Sequence, residues 1–237
     1  MAWLTGSFFG GQDAIAQLWD NNGRLGMNFY GGFFQNAAFS YPDVGQGSGA
    51  VAWLTGSFTG SGRTEIAQLW DNRGNLGLNV YRIADSGQTL IVQTVISSSD
   101  LGQKSGAVAW LAGDFIGSGH TEIAQLWDNN GTLAAVIYGG ANGTAETLFG
   151  SSDLDQGSGA VAWLTGNFTG TGTTTEIVQL WDDQGTLSWN LYSNDNGSLL
   201  LDPFHRGGLG QGPGALAWLT GAFTDTGLTA IAQPWAS

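Results

Sequence analysis

The sequence predicts an all-β protein: a β-propeller of about five four-stranded repeats, the last of them incomplete. Two phrases recur along the 237 residues, Ala-Trp-Leu-Thr-Gly and Ile-Ala-Gln-Leu-Trp-Asp, with small variations. The tryptophans of the first phrase are Trp3, Trp53, Trp110, Trp163 and Trp218, at steps of 50, 57, 53 and 55 residues. No stretch between them shows a helical period, and strand-and-turn repeats of about 50 residues have the size of propeller blades.

The second repeat shows what each copy contains. Residues 51–58 form a short apolar strand one, and residues 65–71 carry the second phrase as strand two. A turn at 72–75 contains Gly74, where a positive φ is expected. Residues 76–82 and 89–96 follow as strands three and four, and the glycine-rich segment 100–106 leads to the next copy.

The copies divide a single domain, 1–237, into repeats 1–50, 51–107, 108–160, 161–215 and the partial repeat 216–237. Because one sheet cannot bury both of its faces alone, neighbouring repeats must stack. The fifth copy holds strands one and two only. Three interpretations stay open: a ring that tolerates a two-stranded blade, a hairpin that completes a sheet in another subunit, or a chain cut from a longer array. An exposed hairpin edge invites pairing, which favours a homo-oligomer.

Composition excludes several classes of partner. The chain carries 6 Lys plus Arg against 19 Asp plus Glu, a formal net charge of −13. Nucleic acids and anionic membranes are bound through Lys and Arg, so neither is expected as a partner. No apolar run is long enough to insert into a membrane. The first residues lack the basic and apolar segments of a signal peptide, and the localisation stays open.

The chain offers little for catalysis, and we expect no enzyme. His120 is predicted to be a solvated loop residue, and His205, in the insert 202–206 of the fourth copy, to be a local surface feature. Glu65, Glu122 and Glu176 recur at the start of strand two, but each stands alone in its copy. Hydrolysis of a glycosidic bond needs two carboxyl groups. With no Cys, thiolate metal sites are excluded as well.

Residues 56–67, which read GSFTGSGRTEIA, resemble the FG-GAP/VCBS repeat of bacterial surface proteins, integrin-type propellers and some fungal lectins. The resemblance implies a β-propeller and leaves the function open. Family loops hold Ca²⁺ through acidic and Asn positions, which here are Ser57, Thr59 and Ser61. Only the third copy keeps an acid, Asp114, at the first of these positions. We therefore predict that the loops are mostly metal-free and held by Ser and Thr side-chain hydrogen bonds to turn amides, with no cofactor.

The period-two rule separates two faces of each repeat. If Asp71 pairs with Leu76, then Trp70 lies opposite Gly77 and Gln68 opposite Asn79. The other face is apolar. The Trp-bearing face gives these candidate ligand-binding residues: Trp19, Gln17, Asn28 and Asp20 in the first copy; Trp70, Gln68, Asn79 and Asp71 in the second; Trp127, Gln125 and Asp128 in the third, where Val136 replaces the Asn; and Trp181, Gln179, Asn190 and Asp182 in the fourth.

These residues suit a sugar. An indole stacks on the C–H face of a pyranose, while amides and carboxylates bind hydroxyl groups. The function expected is therefore a multivalent lectin with equivalent shallow sites for neutral glycans, as the resemblance to FG-GAP lectins also implies. The alternative is a non-enzymatic structural or protein-interaction propeller module of a surface or secreted protein. In that case the tryptophans are wedges between blades, and the amides are bonded to backbone groups.

Overall fold

The computed structural model describes residues 1–31, 39–45, 49–85, 90–99, 101, 107–141, 144–151, 154, 160–170, 172–195, 198–206, 217–223 and 227–234. Eighteen β-strands and no helix occur in these ranges. The strands are β1 Ala2–Gly6, β2 Ala14–Asn21, β3 Arg24–Gly31, β4 Phe39–Tyr41, β5 Ala52–Gly56, β6 Glu65–Asn72, β7 Asn75–Asp85, β8 Leu90–Ser98, β9 Ala109–Gly113, β10 Glu122–Asn129, β11 Thr132–Ala141, β12 Thr144–Ser151, β13 Ala162–Gly166, β14 Glu176–Asp183, β15 Thr186–Asp195, β16 Ser198–Arg206, β17 Leu219–Gly221 and β18 Ala230–Ala232. No described segment is a helix that could cross a bilayer.

Each repeat is one antiparallel sheet. The first four sheets have the order β1-β2-β3-β4, β5-β6-β7-β8, β9-β10-β11-β12 and β13-β14-β15-β16, and the fifth repeat is the two-stranded sheet β17-β18. The all-β class is therefore confirmed, and each full repeat contributes four strands. The arrangement of these sheets as a propeller stays a prediction.

The chain forms two compact units. One contains Met1–Gly106 with Gly139–Glu146, and the other contains Ala107–Tyr138 with Thr147–Ser237. The first two sheets belong to the first unit. The fourth sheet and the β17-β18 hairpin belong to the second, together with β9 and β10 of the third sheet.

A tight turn sets the register of strands two and three in every full repeat. Its two central residues have positive φ, 57° at Arg73 and 91° at Gly74 in the second copy. Two positive φ angles define a type I′ turn, whose twist matches that of a hairpin. Asp71 stabilises this turn by accepting the N–H of Gly74 at 2.6 Å. The expected register is confirmed, with Trp70 opposite Gly77 and Gln68 opposite Asn79.

We call the Trp-bearing face of each sheet its tryptophan face. Within each unit, the apolar face of one sheet packs against the tryptophan face of the next sheet along the chain. In the first unit, Met27 and Phe29 of the first sheet belong to one core cluster with Ile66 and Tyr81 of the second. The second unit repeats this seam, where Leu126, Ile137 and their neighbours pack with Ile177, Tyr192 and Trp163. One half of the tryptophan face is therefore buried between repeats.

A buried glutamate fastens the loop between strands one and two. Glu122 is 3 % exposed. Its Oε2 accepts the N–H of Phe115 at 2.8 Å, and its Oε1 accepts the hydroxyl of Ser118 at 2.6 Å. Ser118 Oγ accepts the N–H of His120 at 3.1 Å, a bond to a turn amide of the expected kind, whereas the carboxylate is a partner that the sequence did not reveal. Glu65 and Glu176 hold Thr59 and Thr169 in the same way.

Within each unit, a threonine before strand two joins its loop to the loop of the preceding repeat. Thr175 donates its N–H to the carbonyl of Asp114 at 2.6 Å and accepts the N–H of Asp114 on Oγ1 at 2.9 Å. A Cβ on Gly113 would lie 2.8 Å from the Thr175 Cβ, so glycine is needed for this approach. The same pair of bonds joins Thr64 to Ser7, and Thr229 to Asn167.

Candidate functional site

A hollow of about 500 Å³ lies beside Trp70 in the first unit. All four residues predicted for the second copy line it: Gln68, Trp70, Asp71 and Asn79. The rest of its lining is the segment Gly49, Ala50 and Val51, which leads into the second sheet. Gly49 follows residues 46–48, which lie outside the described ranges.

Glycine under the indole determines how Trp70 lies. A Cβ on Gly77 would be 2.6 Å from Cδ2 and Cζ2 of the Trp70 ring, whereas ordinary contact begins at 3.4 Å. The ring therefore lies directly on the backbone of β7. Its Nε1 is buried and has no hydrogen-bond partner in the described part of the chain, so the exposed part of the half-buried indole is carbon. A hydrocarbon plane at the edge of a hollow suits an apolar ligand face.

Below the indole, the amides form a buried network. Asn79 donates from Nδ2 to Gln68 Oε1 at 3.2 Å, and the hydroxyl of Tyr81 donates to the same oxygen at 2.8 Å. Ser97 donates to Asn79 Oδ1 at 3.1 Å. Gln68 and Asn79 are 1 % and 2 % exposed. Burial raises the pKa of the Tyr81 phenol above its usual range, so the hydroxyl stays a proton donor well into the alkaline range.

The network recurs in the other copies. In the fourth, Asn190 and Tyr192 both donate to Gln179 Oε1, at 2.9 Å and 3.0 Å. In the third, Tyr138 donates to Gln125 at 2.8 Å, and Val136 stands where the Asn is lost. In the first copy, the same bonds join Asn28 and Tyr30 to Gln17, but here all three side chains are only half-buried.

The four aspartates lie just before the turn between strands two and three. Asp20, Asp71 and Asp128 are exposed, and so is Asp182; each accepts the N–H of the turn glycine three residues later at 2.6 or 2.7 Å. Each aspartate therefore stabilises the turn that follows it. At Asp71 this bond uses Oδ1, and the residue also lines the hollow.

A second hollow of about 370 Å³ lies at Trp19 and Asp20 of the first copy. Gly49 and Ala50 line this one also, together with Trp53 and the apolar Leu18 and Leu25. Gln17 and Asn28 are not part of its wall. For Trp127 and Trp181, the structure places the indoles half-buried on their tryptophan faces, next to Ala134 and Ser188 respectively.

Other polar groups do not assemble into a reactive cluster in the described residues. No three His, Asp or Glu side chains among them are placed to hold a metal ion. His120 is exposed in a loop, and the side chain of His205 lies outside the described residues. The three strand-two glutamates are occupied in holding loops.

Comparison with known proteins adds no relative. No protein-family model, curated protein or solved structure matches this chain. The function is therefore argued from the site itself.

Proposed function

We propose that this protein is a multivalent lectin that binds neutral glycans at equivalent places on successive repeats of a β-propeller of the FG-GAP type. The observation that carries the proposal is the hollow at Trp70, whose wall contains all four residues selected from the sequence of that copy. Its volume of about 500 Å³ is in the range of small-ligand sites.

Different groups around the hollow make different contacts with the sugar. The exposed carbon plane of the Trp70 indole stacks on the C–H face of a sugar ring. Oδ2 of Asp71 accepts a hydroxyl, and the backbone of Gly49 and Ala50 supplies further polar contacts at the opposite wall. The buried pair Gln68 and Asn79 fixes the floor of the hollow, because its amide groups already bond to each other and to Tyr81.

Affinity then depends on several weak sites. A shallow site of this kind binds a monosaccharide with a Kd of roughly millimolar to micromolar. When one glycan surface engages several copies together, avidity raises the effective affinity by roughly 10²–10⁴. An acidic protein with few charged residues suits neutral glycans, since anionic ones would be repelled by its net charge of −13.

A neutral-glycan array followed by calorimetry with the best ligand tests the proposal. We expect more than one site per chain. Replacing Trp19, Trp70, Trp127 and Trp181 together by Ala should abolish binding while the β-sheet circular dichroism remains. Trp3→Ala is the matched control, since Trp3 is 58 % exposed and lines neither hollow.

The second candidate, a structural or protein-interaction propeller, is favoured by the burial of Gln68 and Asn79. It predicts a folded protein that binds no neutral glycan on the array. That outcome, with the parent chain folded, would refute the lectin proposal.

A further inference from the structure

An exposed valine stands immediately before strand one in the second, third and fourth repeats. Val51, Val108 and Val161 are 45 %, 43 % and 40 % exposed. All three belong to the repeated sequence Gly-Ala-Val-Ala-Trp. A single exposed valine is ordinary on a protein surface, so its place relative to the candidate site decides whether it has a role.

The backbone fixes each valine beside the strand that carries the tryptophan of its own repeat. Val51 donates its N–H to the carbonyl of Leu69 at 2.7 Å, and Leu69 is the residue before Trp70. The same bond, also at 2.7 Å, recurs in the third and fourth repeats, as Val108 to Leu126 and Val161 to Leu180. In those repeats too, the accepting leucine directly precedes the tryptophan.

In the second repeat the valine belongs to the candidate site. Val51 lines the hollow at Trp70, and so does Ala50 before it. The hollow therefore offers carbon at two places, the plane of the half-buried indole and the methyl groups of these two aliphatic side chains. A ligand that contacts both needs an apolar group besides the C–H face of its ring.

The polar groups on the floor of the hollow are engaged with one another. Gln68 Oε1 accepts Asn79 and Tyr81, and Gln68 Nε2 donates to the carbonyl of Gly49 at 3.4 Å. Asn79 Oδ1 accepts the hydroxyl of Ser97. These bonds hold the amides in place within the protein, so the floor favours a ligand that asks for few additional hydrogen bonds.

The wall at Ala50 and Val51 selects what a sugar places against it. A hydroxyl group there would lose water without gaining a hydrogen bond from these side chains, which costs free energy. An acetamido group carries both a donor and an acceptor that need partners. A methyl group needs none, and its contact with an exposed valine removes apolar surface from water.

We propose that the hollow at Trp70 and its equivalents in the third and fourth repeats prefer 6-deoxyhexoses, neutral pyranoses with a methyl group in place of the hydroxymethyl group. The ring stacks on the indole, ring hydroxyls bond to Asp71, and the methyl group packs on Ala50 and Val51. The inference rests on the proposed lectin function and names the class of sugar.

Matched sugar pairs test the proposal on the full chain. D-fucose with D-galactose, and L-rhamnose with L-mannose, differ only in the hydroxyl at C6, whereas N-acetyl-D-glucosamine with D-glucose tests an acetamido methyl. Calorimetry measures each Kd. The test variant carries Val51→Thr, Val108→Thr and Val161→Thr together, because threonine keeps the branched shape and replaces one methyl by a hydroxyl. Ile116→Thr is the control, since Ile116 is 38 % exposed and is not part of the wall of the hollow.

We expect the 6-deoxy sugar of at least one pair to bind about 3- to 10-fold more tightly than its hexose. The triple variant should lose most of this preference and keep its melting temperature, because the valines are exposed, while Ile116→Thr should retain the preference. Equal Kd values within both pairs, a preference that survives in the triple variant, or a gain with the acetamido sugar alone would overturn this inference and leave the lectin proposal standing. A folded parent that binds none of the six sugars would overturn it as well, and the glycan array then decides whether the lectin proposal fails with it.

Discussion

Removing one loop-fastening glutamate tests how these loops are held. Glu176 is 4 % exposed, and its Oε2 accepts the N–H groups of Phe168 at 2.6 Å and Thr169 at 3.0 Å. Its Oε1 accepts the hydroxyl of Thr169. Glu176→Ala removes the acceptor of all three groups. Glu176→Gln keeps an oxygen for the two N–H groups and is the matched control.

The magnitude follows from the groups left without a partner. An unsatisfied buried donor costs about 1–3 kcal/mol. Phe168 and Thr169 are half-buried, so water reaches part of this loop and the lower end of that range applies to each. Two such donors give a loss of about 2 kcal/mol in the free energy of unfolding. For a chain of this length that corresponds to a melting temperature lower by about 4–8 °C.

Thermal unfolding followed by circular dichroism measures the effect, with and without millimolar CaCl₂. We expect Glu176→Ala to lose several degrees, Glu176→Gln to lose less than half as much, and calcium to change none of the three proteins. A Glu176→Ala protein that melts with the parent would refute the reasoning about the carboxylate. A parent stabilised by calcium would show that the loop is a metal site, against the sequence prediction.

Three further perturbations follow from the same geometry. Burial raises the pKa of Glu122, so the folded state holds the proton of this carboxyl more tightly than the unfolded state, and the free energy of unfolding should decline as the pH rises from the ordinary glutamate pKa through the raised one. Urea unfolding at a series of pH values measures this decline, which Glu122→Gln should abolish. Gly77→Ala should push the Trp70 ring off the strand, and it should shift tryptophan fluorescence and weaken glycan binding in calorimetry while the melting temperature changes little. Thr175→Val should leave the N–H of Asp114 without its acceptor and cost about 1–2 kcal/mol in urea unfolding, whereas Thr175→Ser should recover most of the loss.

The hairpin register could be predicted because it depends on local information. Gly74 after a polar residue marks a type I′ turn, and the turn fixes which residues of β6 and β7 lie opposite each other. The alternation of side chains then assigns Trp70 and Gln68 to one face. The same logic placed four sheets and a final hairpin along the chain.

What could not be predicted depends on contacts between repeats. In the sequence Glu122 is an isolated acid. It accepts the backbone N–H groups of Phe115 and Ile116, and a backbone donor cannot be predicted from the type of residue that carries it. The burial of Gln68 and Asn79 depends on their neighbours in space. The period-two rule predicts on which face of the sheet a side chain lies, but not whether that face is buried. Thr175 carries no local signal either, since it acts on a loop 61 residues earlier.

The site itself differs between repeats in a way that bears on multivalency. In the first two copies the residue under the indole is Gly26 or Gly77, and a Cβ there would lie 2.5 or 2.6 Å from ring atoms. In the third and fourth copies Ala134 and Ser188 already carry that Cβ, so Trp127 and Trp181 must lie differently on their strands. The four places are therefore equivalent in their position on the repeat but form two pairs by the residue under the indole. If the indole plane is what a sugar stacks on, calorimetry should resolve two classes of site, and the Gly77→Ala protein should move one site from the first class to the second. A single class of binding site in the parent chain would show that the ligand does not contact the indole plane, whose position depends on the glycine.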